Sequence, residues 1–342
     1  MLSVIEKRVT TADAAERAAV RVLDVGGSHA TAASVVLDAE GGGAVRDADA
    51  VPLDPAASAD ALLDAIAAPA VRLGSLPGAD DGAAHVGWVV AMPGPFDYAA
   101  GVGRFDAVGK FEALRGVSIR EGLASRLGVD GDSIRFVNDA AAYGVGEWAF
   151  GSSTRADRHV CITLGTGVGS SFLDRGRVVD DGAEVPSNGW AYLLEFDGRP
   201  LEDTVSTRAI VAEFARRTGR TASVKEIAAD AAGGDPVAAE VLDRAMAALG
   251  ATLAPWLHSF RATRLTIGGS MARSWPVLVT GLTRGIAEGM PGGRAPASLE
   301  ILPSTLLDDA PILGAAHWLH SPDSSLDSSP DSAPDSLRSD HR

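Results

Sequence analysis

The chain has 342 residues, 46% of them hydrophobic and 22% charged, which is enough to bury the cores of two lobes. Lysine and arginine number 30 against 45 acidic residues, and the net charge of −15 argues against a nucleic-acid-binding surface. No apolar stretch approaches the roughly 18 to 20 residues that span a bilayer, and residues 1–20 lack the apolar core of a signal peptide, so we expect a cytoplasmic protein with no membrane partner.

The first half of the chain predicts an N-terminal lobe of mixed α/β structure over residues 19–137, after a flexible segment at 1–18. Three β-rich runs separated by glycine turns are typical of an antiparallel meander. Two helices with apolar residues at helical spacing follow, the second opened by a capping box of Ser118 and Glu121. In chain order the predicted elements are strands 20–24, 31–37 and 45–51, helix 58–73, strand 86–91, helix 119–127 and strand 134–137.

The second half predicts a C-terminal lobe over residues 138–307, with a second meander around a glycine turn. Cys161 lies in the first strand of that meander and, as the only cysteine, excludes intrachain disulfides and multi-cysteine metal sites. We expect helix 308–320 to pack back on the N-terminal lobe and the Ser/Pro/Asp-rich residues 321–342 to be a disordered tail. The other predicted elements are strands 160–164, 169–173 and 264–267, and helices 207–217, 236–260 and one beginning near 270.

Two glycine turns between β-rich runs are candidate phosphate loops. Gly26-Gly27-Ser28 follows Asp24, and glycines let backbone N–H groups face an anion with no Cβ in the way, while the acid indicates a metal. Gly165-Thr166-Gly167 repeats the arrangement in the second half, as a nucleotide held between two similar lobes requires. Each turn alone is equally ordinary hairpin chemistry. Neither contains the Gly-x-Gly-x-x-Gly or Gly-Lys-Ser/Thr signature of other nucleotide sites.

Asp139 is a candidate general base, because a predicted strand delivers it to the first turn of a helix. The N–H groups and dipole at that end favour an ionised carboxylate, which could take a proton from a hydroxyl that attacks phosphorus. A plain helix N-cap is the alternative interpretation of the same residue.

A third glycine segment, Gly268-Gly269, lies between a strand and a helix, where a flat adenine could approach the backbone closely. Helix capping explains this pair equally well. Small residues on one face of segment 309–316 predict close helix packing, as a hinge between lobes requires.

Taken in order over residues 20–319, these segments resemble the ROK family (repressors, open reading frames and sugar kinases) of the hexokinase and actin-like ATPase superfamily. The resemblance implies two ribonuclease-H-like lobes, each a mixed β-sheet with flanking helices, around an interdomain cleft. It implies that Asp24 holds Mg²⁺, directly or through water, that Gly26 to Ser28 and Gly165 to Gly167 surround the phosphates, and that Gly268-Gly269 lies beside adenosine. It makes Asn138 a sugar ligand and Asp139 both a sugar ligand and the base.

The chain departs from the family pattern in the segment that would bind sugar. Where members carry Glu-x-Gly-His and a Cys-rich zinc loop, residues 186–195 contain no His or Cys, so we expect no zinc. Residues 194–202 are similar to the zinc-free segment of polyphosphate-dependent glucokinases, which makes Glu202 a sugar ligand by resemblance. The Asn expected after the Pro-Gly loop is not evident, and Arg104 and Lys110 are present there instead.

The implied activity is transfer of the γ-phosphoryl group of ATP to a hexose hydroxyl, glucokinase-like at the 6-hydroxyl, in a homodimer whose partners are a sugar and a nucleotide. Two alternatives stay open: polyphosphate as the donor, and a catalytically degenerate sugar-sensing protein. Family repressors place a helix-turn-helix ahead of the lobes, and only about 20 residues precede the first predicted strand, fewer than that module needs.

Overall fold

A computed structural model of the protein describes residues 19–38, 41–74, 87–106, 109–293 and 298–321. The predicted flexible segment 1–18 and all but the first residue of the predicted tail 321–342 lie outside these described residues. Within them, no helix is both long and apolar enough to cross a membrane.

The N-terminal lobe is built on a five-stranded mixed sheet, with strand order β3-β2-β1-β4-β7. The first three strands are antiparallel neighbours, whereas β4 runs parallel to both β1 and β7. The carboxyl ends of these three parallel strands therefore share one edge, the usual place for ligands in open α/β sheets. The strands are β1 Ala19–Val25, β2 His29–Leu37, β3 Gly43–Pro52, β4 Trp88–Met92 and β7 Ile134–Asn138, with a hairpin of β5 Phe96–Asp97 and β6 Val102–Gly103.

The C-terminal lobe repeats this pattern in a second five-stranded sheet, of order β10-β9-β8-β13-β14. Again the first three strands in this order are antiparallel neighbours, whereas β13 runs parallel to both β8 and β14. The predicted duplication of an α/β half is therefore confirmed. The strands are β8 Arg158–Leu164, β9 Val168–Asp174, β10 Arg177–Val178, β13 Arg264–Gly268 and β14 Glu300–Pro303, with a hairpin of β11 Glu195–Phe196 and β12 Arg199–Pro200.

Helices flank both sheets, and their ends follow the capping signals in the sequence. Ser118 accepts a hydrogen bond from the Glu121 N–H, and Gly128 ends that helix in the left-handed conformation, as predicted. Helix α6 and strand β14 were not predicted: α6 opens with a capping box of Ser223 and Glu226 that was not recognised, and β14 has only four residues, none of them fully buried. The helices are α1 Ala59–Gly74, α2 Ile119–Leu127, α3 Asp139–Phe150, α4 Glu202–Val205, α5 Thr207–Thr218, α6 Val224–Ala232, α7 Pro236–Ser259, α8 Trp275–Gly289 and α9 Ala310–Leu319.

Alternating side chains of β4 divide the N-terminal core into two layers. Val90 and Met92 pack on the side of α1 and α2, whereas Val89 and Ala91 pack on the side of α3 and α9. Helix α9 thus lies against the first sheet and, along its length, against α3. The predicted strand 86–91 begins later, at Trp88, and its first predicted residue lies outside the described residues.

Candidate active site

The two predicted phosphate loops are the turns of the leading hairpin in each sheet. In the first, the Gly26 N–H donates to the His29 carbonyl at 2.8 Å, and a Cβ on Gly27 would meet nothing within 4 Å. In the second, the Gly165 N–H donates to the Gly167 carbonyl at 3.1 Å. Gly27 is not in the left-handed conformation, and the open space beside it leaves room for a ligand to approach the backbone.

The second phosphate loop and the predicted adenosine segment are neighbours at the carboxyl ends of β8 and β13. Gly269 has a φ of 76°, and a Cβ there would overlap the backbone of Leu164. A Cβ on Gly165 would lie 3.9 Å from the Ser270 hydroxyl oxygen. Gly269 therefore has to be glycine for both conformational and steric reasons, and the structure places the two segments predicted to bind nucleotide side by side.

Asn138, not Asp139, caps helix α3. The Asn138 Oδ1 accepts the Ala141 N–H at 3.0 Å, while Asp139 is the first helical residue. The N-cap interpretation of Asp139 is therefore wrong, because Asn138 is the N-cap residue of this helix. The Asp139 carboxylate instead accepts the Ala140 N–H at 2.8 Å, which favours its ionised form.

A tyrosine that sequence reasoning missed holds Asn138 in place. The Asn138 Nδ2 donates to the Tyr98 hydroxyl at 2.8 Å, and that hydroxyl donates to the Met92 carbonyl at 3.1 Å. Asn138 keeps one further N–H and one lone pair for a ligand. The carboxyl ends of β4 and β7 are thus tied together beside the candidate base.

The surroundings of Asp139 shift the pKa of its carboxyl in opposite directions. Burial raises the pKa of the Asp139 carboxyl, and the Lys110 ammonium acts against that rise. Burial also raises the pKa of Asp24 to about 7, and the negative charges of Asp139 and then Asp308 add to this effect. Asp308 in turn pairs with Arg273 at 2.6 Å. The candidate site is therefore acidic, with Lys110 as a cation facing the base.

The donor set at Asp24 fits Mg²⁺ held jointly with a nucleotide. In the described part of the chain, no three His, Cys, Asp or Glu side chains converge as metal ligands. Mg²⁺ commonly uses only one or two carboxylates, completing its shell with water and substrate phosphates. Asp24 lies at the carboxyl end of β1 and could supply one such oxygen ligand, and a cation bound there would favour its ionised form.

The substituted segment 184–202 brings an aromatic wall to the site. Trp190 and Tyr192 stack with ring centroids 5.6 Å apart. A Cβ on Gly94 would lie 3.7 Å from the Trp190 ring and 3.5 Å from the Tyr98 hydroxyl, so Trp190 reaches the N-terminal lobe. Buried Ser170 anchors the segment, because its hydroxyl donates to the Gly189 carbonyl at 2.6 Å and accepts the Ala191 N–H at 2.7 Å.

Glu202 lies against the second phosphate loop. Its Oε2 accepts the Val168 N–H at 3.2 Å, and a Cβ on Gly167 would come within 2.8 Å of the same oxygen. Arg208 lies 3.7 Å from the other carboxylate oxygen. A side chain at residue 167 would displace the Glu202 carboxylate, so Gly167 leaves room for Glu202, a reason distinct from the phosphate contact that the sequence suggested.

A model of the ROK family matches residues 22–321, which is most of the chain. The chain belongs to the ROK family. This ROK protein is 26% identical to the glucokinase of Thermotoga maritima over 249 residues, which cover 66% of this chain and 77% of that enzyme.

Solved structures confirm the predicted fold of this ROK protein. A ROK family glucokinase from Streptomyces griseus, in complex with glucose and AMPPNP, superposes with a TM-score of 0.71 at 22% identity, covering 87% of this chain and 98% of that one. A ROK family transcriptional regulator, a homologue of the E. coli MLC protein, gives a TM-score of 0.71 at 20% identity and covers 87% and 76% of the respective chains. The fold is thus that of the two-lobed actin-like ATPases, and it serves both sugar kinases and regulators.

The ROK protein brings together most of the residues singled out from its sequence, although their roles remain predictions. Asp24, Asn138 and Asp139 lie at the carboxyl ends of parallel strands β1 and β7, and the second phosphate loop adjoins Gly268-Gly269. Sequence reasoning missed the contributors that lie outside glycine or strand-end motifs. These are Tyr98, Tyr143, Ser170 and Asp308.

Proposed function

We propose that this ROK protein is an ATP-dependent hexose kinase that phosphorylates its sugar at the 6-hydroxyl. The observation that carries the proposal is the placement of a half-buried carboxylate, Asp139, directly after β7, in the same region as Asp24 and the aromatic wall. Family membership and the glucokinase relative support phosphoryl transfer to a sugar as the reaction class.

Asp139 would act as general base. The sugar hydroxyl attacks the γ-phosphorus of ATP, its proton moves to the Asp139 carboxylate, and the bond from the γ-phosphorus to the β-bridging oxygen breaks. Burial makes this carboxylate a stronger base than an exposed aspartate, whereas Lys110 and the helix N-terminus keep it ionised.

The remaining site residues would position the two substrates. Gly26, Gly27 and Ser28 would face the phosphates from one lobe, and Gly165, Thr166 and Gly167 from the other, with Gly268-Gly269 beside the adenosine. Asp24 would hold Mg²⁺, which when bound neutralises charge on the phosphates. Asn138 and Glu202 would bind sugar hydroxyls, while Trp190 offers a face on which the apolar side of a sugar ring can stack.

Replacing the base tests the proposal. We expect Asp139→Asn to lower kcat by about 10² to 10⁴-fold, the usual share of a general base, with sugar affinity retained. Turnover is measured on a panel of hexoses and N-acetylhexosamines, each with ATP and with polyphosphate, and sugar affinity by tryptophan fluorescence titration. Asp157→Asn is the matched control, because Asp157 is exposed and pairs only with Arg175. Near-normal turnover by Asp139→Asn would exclude the assigned role.

A sugar-sensing protein is the second candidate, favoured by the TM-score that the transcriptional regulator shares with the glucokinase. The altered segments at Lys110 and 184–202 are consistent with ligand binding that no longer serves catalysis. The same panel separates the candidates, because a sensor binds a sugar with saturable affinity but forms no sugar phosphate with either donor.

A further inference from the structure

Tyr143 joins the helix that carries the candidate base to the segment predicted to hold adenosine. It lies one turn after Asp139 in α3, so the two side chains share a face of that helix. The Tyr143 hydroxyl accepts the Gly269 N–H at 3.1 Å, although the two residues are far apart in sequence. Its ring packs so closely on Gly268 that a Cβ there would overlap it. Tyr143 is therefore fitted to both glycines of the segment.

The hydrogen bond from Gly269 continues into a buried relay. The Tyr143 hydroxyl donates to the Ser304 hydroxyl at 2.9 Å, and Ser304 donates to a carboxylate oxygen of Glu147 at 2.6 Å. Glu147 is fully buried and also accepts the Leu306 N–H at 3.0 Å. In each of these bonds the donor is the group nearer Gly269 and the acceptor is the group nearer the Glu147 carboxylate. Both hydroxyl groups therefore already donate their protons within this chain of hydrogen bonds.

This relay ties three parts of the fold at one point. Tyr143 and Glu147 belong to α3, Gly269 follows β13, and Ser304 and Leu306 form the connection from β14 towards α9. A shift of the glycine segment relative to α3 breaks the first bond and leaves a backbone N–H without an acceptor. The arrangement therefore fixes the distance between the segment and the amino end of α3.

We propose that Tyr143 is a positioning residue for the nucleotide, holding Gly268-Gly269 in register with Asp139 so that donor and base stay aligned. This inference rests on the proposed function. The role predicts a selective effect. Removal of the Tyr143 hydroxyl should weaken nucleotide binding, because the unsatisfied Gly269 N–H lets the segment move. It should leave sugar binding unchanged, because the residues predicted to bind the sugar lie elsewhere.

The test compares Tyr143→Phe with the wild-type protein. We expect the Kd for AMPPNP, measured calorimetrically with Mg²⁺, to rise by about tenfold, the scale of one lost hydrogen bond in a partly buried setting. The Kd of the sugar, once identified by the panel, should stay within about twofold. Tyr98→Phe is the matched control, since it removes a phenol hydroxyl on the acceptor side, and it should weaken sugar but not AMPPNP binding. If Tyr143→Phe fails to fold, Ser304→Ala is the second variant: it removes the acceptor that orients the Tyr143 hydroxyl toward the Gly269 N–H, so the same selective rise in the Kd for AMPPNP is expected.

The outcomes separate this inference from the proposed function. An unchanged AMPPNP Kd in Tyr143→Phe overturns the inference, as does an equal loss of sugar and nucleotide binding, which marks a merely structural role. A selective loss of AMPPNP binding in a protein that phosphorylates no sugar supports the inference while the proposed function fails. A wild-type protein that binds no AMPPNP overturns both.

Discussion

At the scale of single residues, the environment of Asp139 decides how the site responds to pH. Burial pushes the pKa of this carboxyl up, and Lys110 pulls it down. A base works only when ionised, so a higher pKa moves the acid limb of the activity profile to higher pH. Lys110, a departure from the family pattern, therefore favours the ionised form of the candidate base.

We expect Lys110→Met to shift the acid limb of kcat/KM for sugar to higher pH, because loss of the ammonium lets the pKa of Asp139 rise further. The profile is measured from about pH 5 to pH 9 at saturating Mg²⁺ and nucleotide, which suppresses the separate titration of Asp24. Arg104→Met is the control, because Arg104 lies on the same loop but is exposed and paired with Asp97. An acid limb that stays in place or moves to lower pH contradicts the expectation.

The sequence predicted the site residues that belong to local motifs and missed those defined by contacts between distant segments. Asp24, Asn138 and Asp139 were found because each lies at the end of a recognisable strand, next to a turn or a helix start. Tyr143 was not found, because its partners Gly269 and Ser304 lie in distant segments and nothing local distinguishes a tyrosine in a helix. The sequence alone does not distinguish Asn138 from Asp139 as the N-cap of α3, because both Asn and Asp are favoured at that position. The hydrogen bond from the Ala141 N–H identifies Asn138.

At the scale of elements, helices α7 and α8 make the tightest contact in the C-terminal lobe. Gly281, Gly285 and Gly289 follow one face of α8 at four-residue spacing, and a Cβ on each would overlap the backbone of α7. Their partners on α7 advance by the same step, so the two helices run parallel in register. Helical spacing predicted α7, and the glycine segment after β13 predicted that a helix follows it, but neither pattern predicted this contact, because glycine carries no hydrophobic signal.

We expect Gly285→Ala to lower the free energy of unfolding by about 1 to 3 kcal/mol or more, although alanine is the better helix former. The added methyl group would overlap the Ala247 carbonyl, and backbone cannot move aside as a side chain can. The measurement is chemical denaturation of the variant and the wild-type protein.

Gly122→Ala in α2 is the control, since its methyl group would meet only the flexible end of the Leu63 side chain. It should be much milder than Gly285→Ala. Equal stability of Gly285→Ala and the wild-type protein would contradict the expectation, because it would show that α7 and α8 can move apart to accommodate the methyl group.

At the scale of the whole molecule, the candidate site lies between the two lobes, and the proposed reaction requires the lobes to come together. Trp190 belongs to the C-terminal lobe yet lies beside Gly94 and Tyr98 of the N-terminal lobe. A sugar bound there would contact both lobes and draw them together, which excludes water from the γ-phosphate.

We therefore expect a saturating substrate sugar to reduce the radius of gyration measured by small-angle scattering. It should also quench or shift tryptophan fluorescence, with weaker effects from epimers. Trp190→Phe should abolish most of the fluorescence change while leaving the compaction. Identical dimensions with and without a sugar that is demonstrably phosphorylated would refute closure.

The contact between α3 and α9 has a consequence for how such a motion can run. A Cβ on Gly146 would overlap the Ala310 carbonyl, and a Cβ on Gly314 would overlap the Ala142 carbonyl. In each helix the glycine lies four residues after the alanine that the other glycine contacts, and each helix follows the last strand of its own five-stranded sheet. The contact is therefore isologous in the sense used for two-fold dimers, with one chain supplying both halves. Points near a rotation axis move least, so a rotation of the lobes about an axis through these glycines would leave the α3–α9 packing intact.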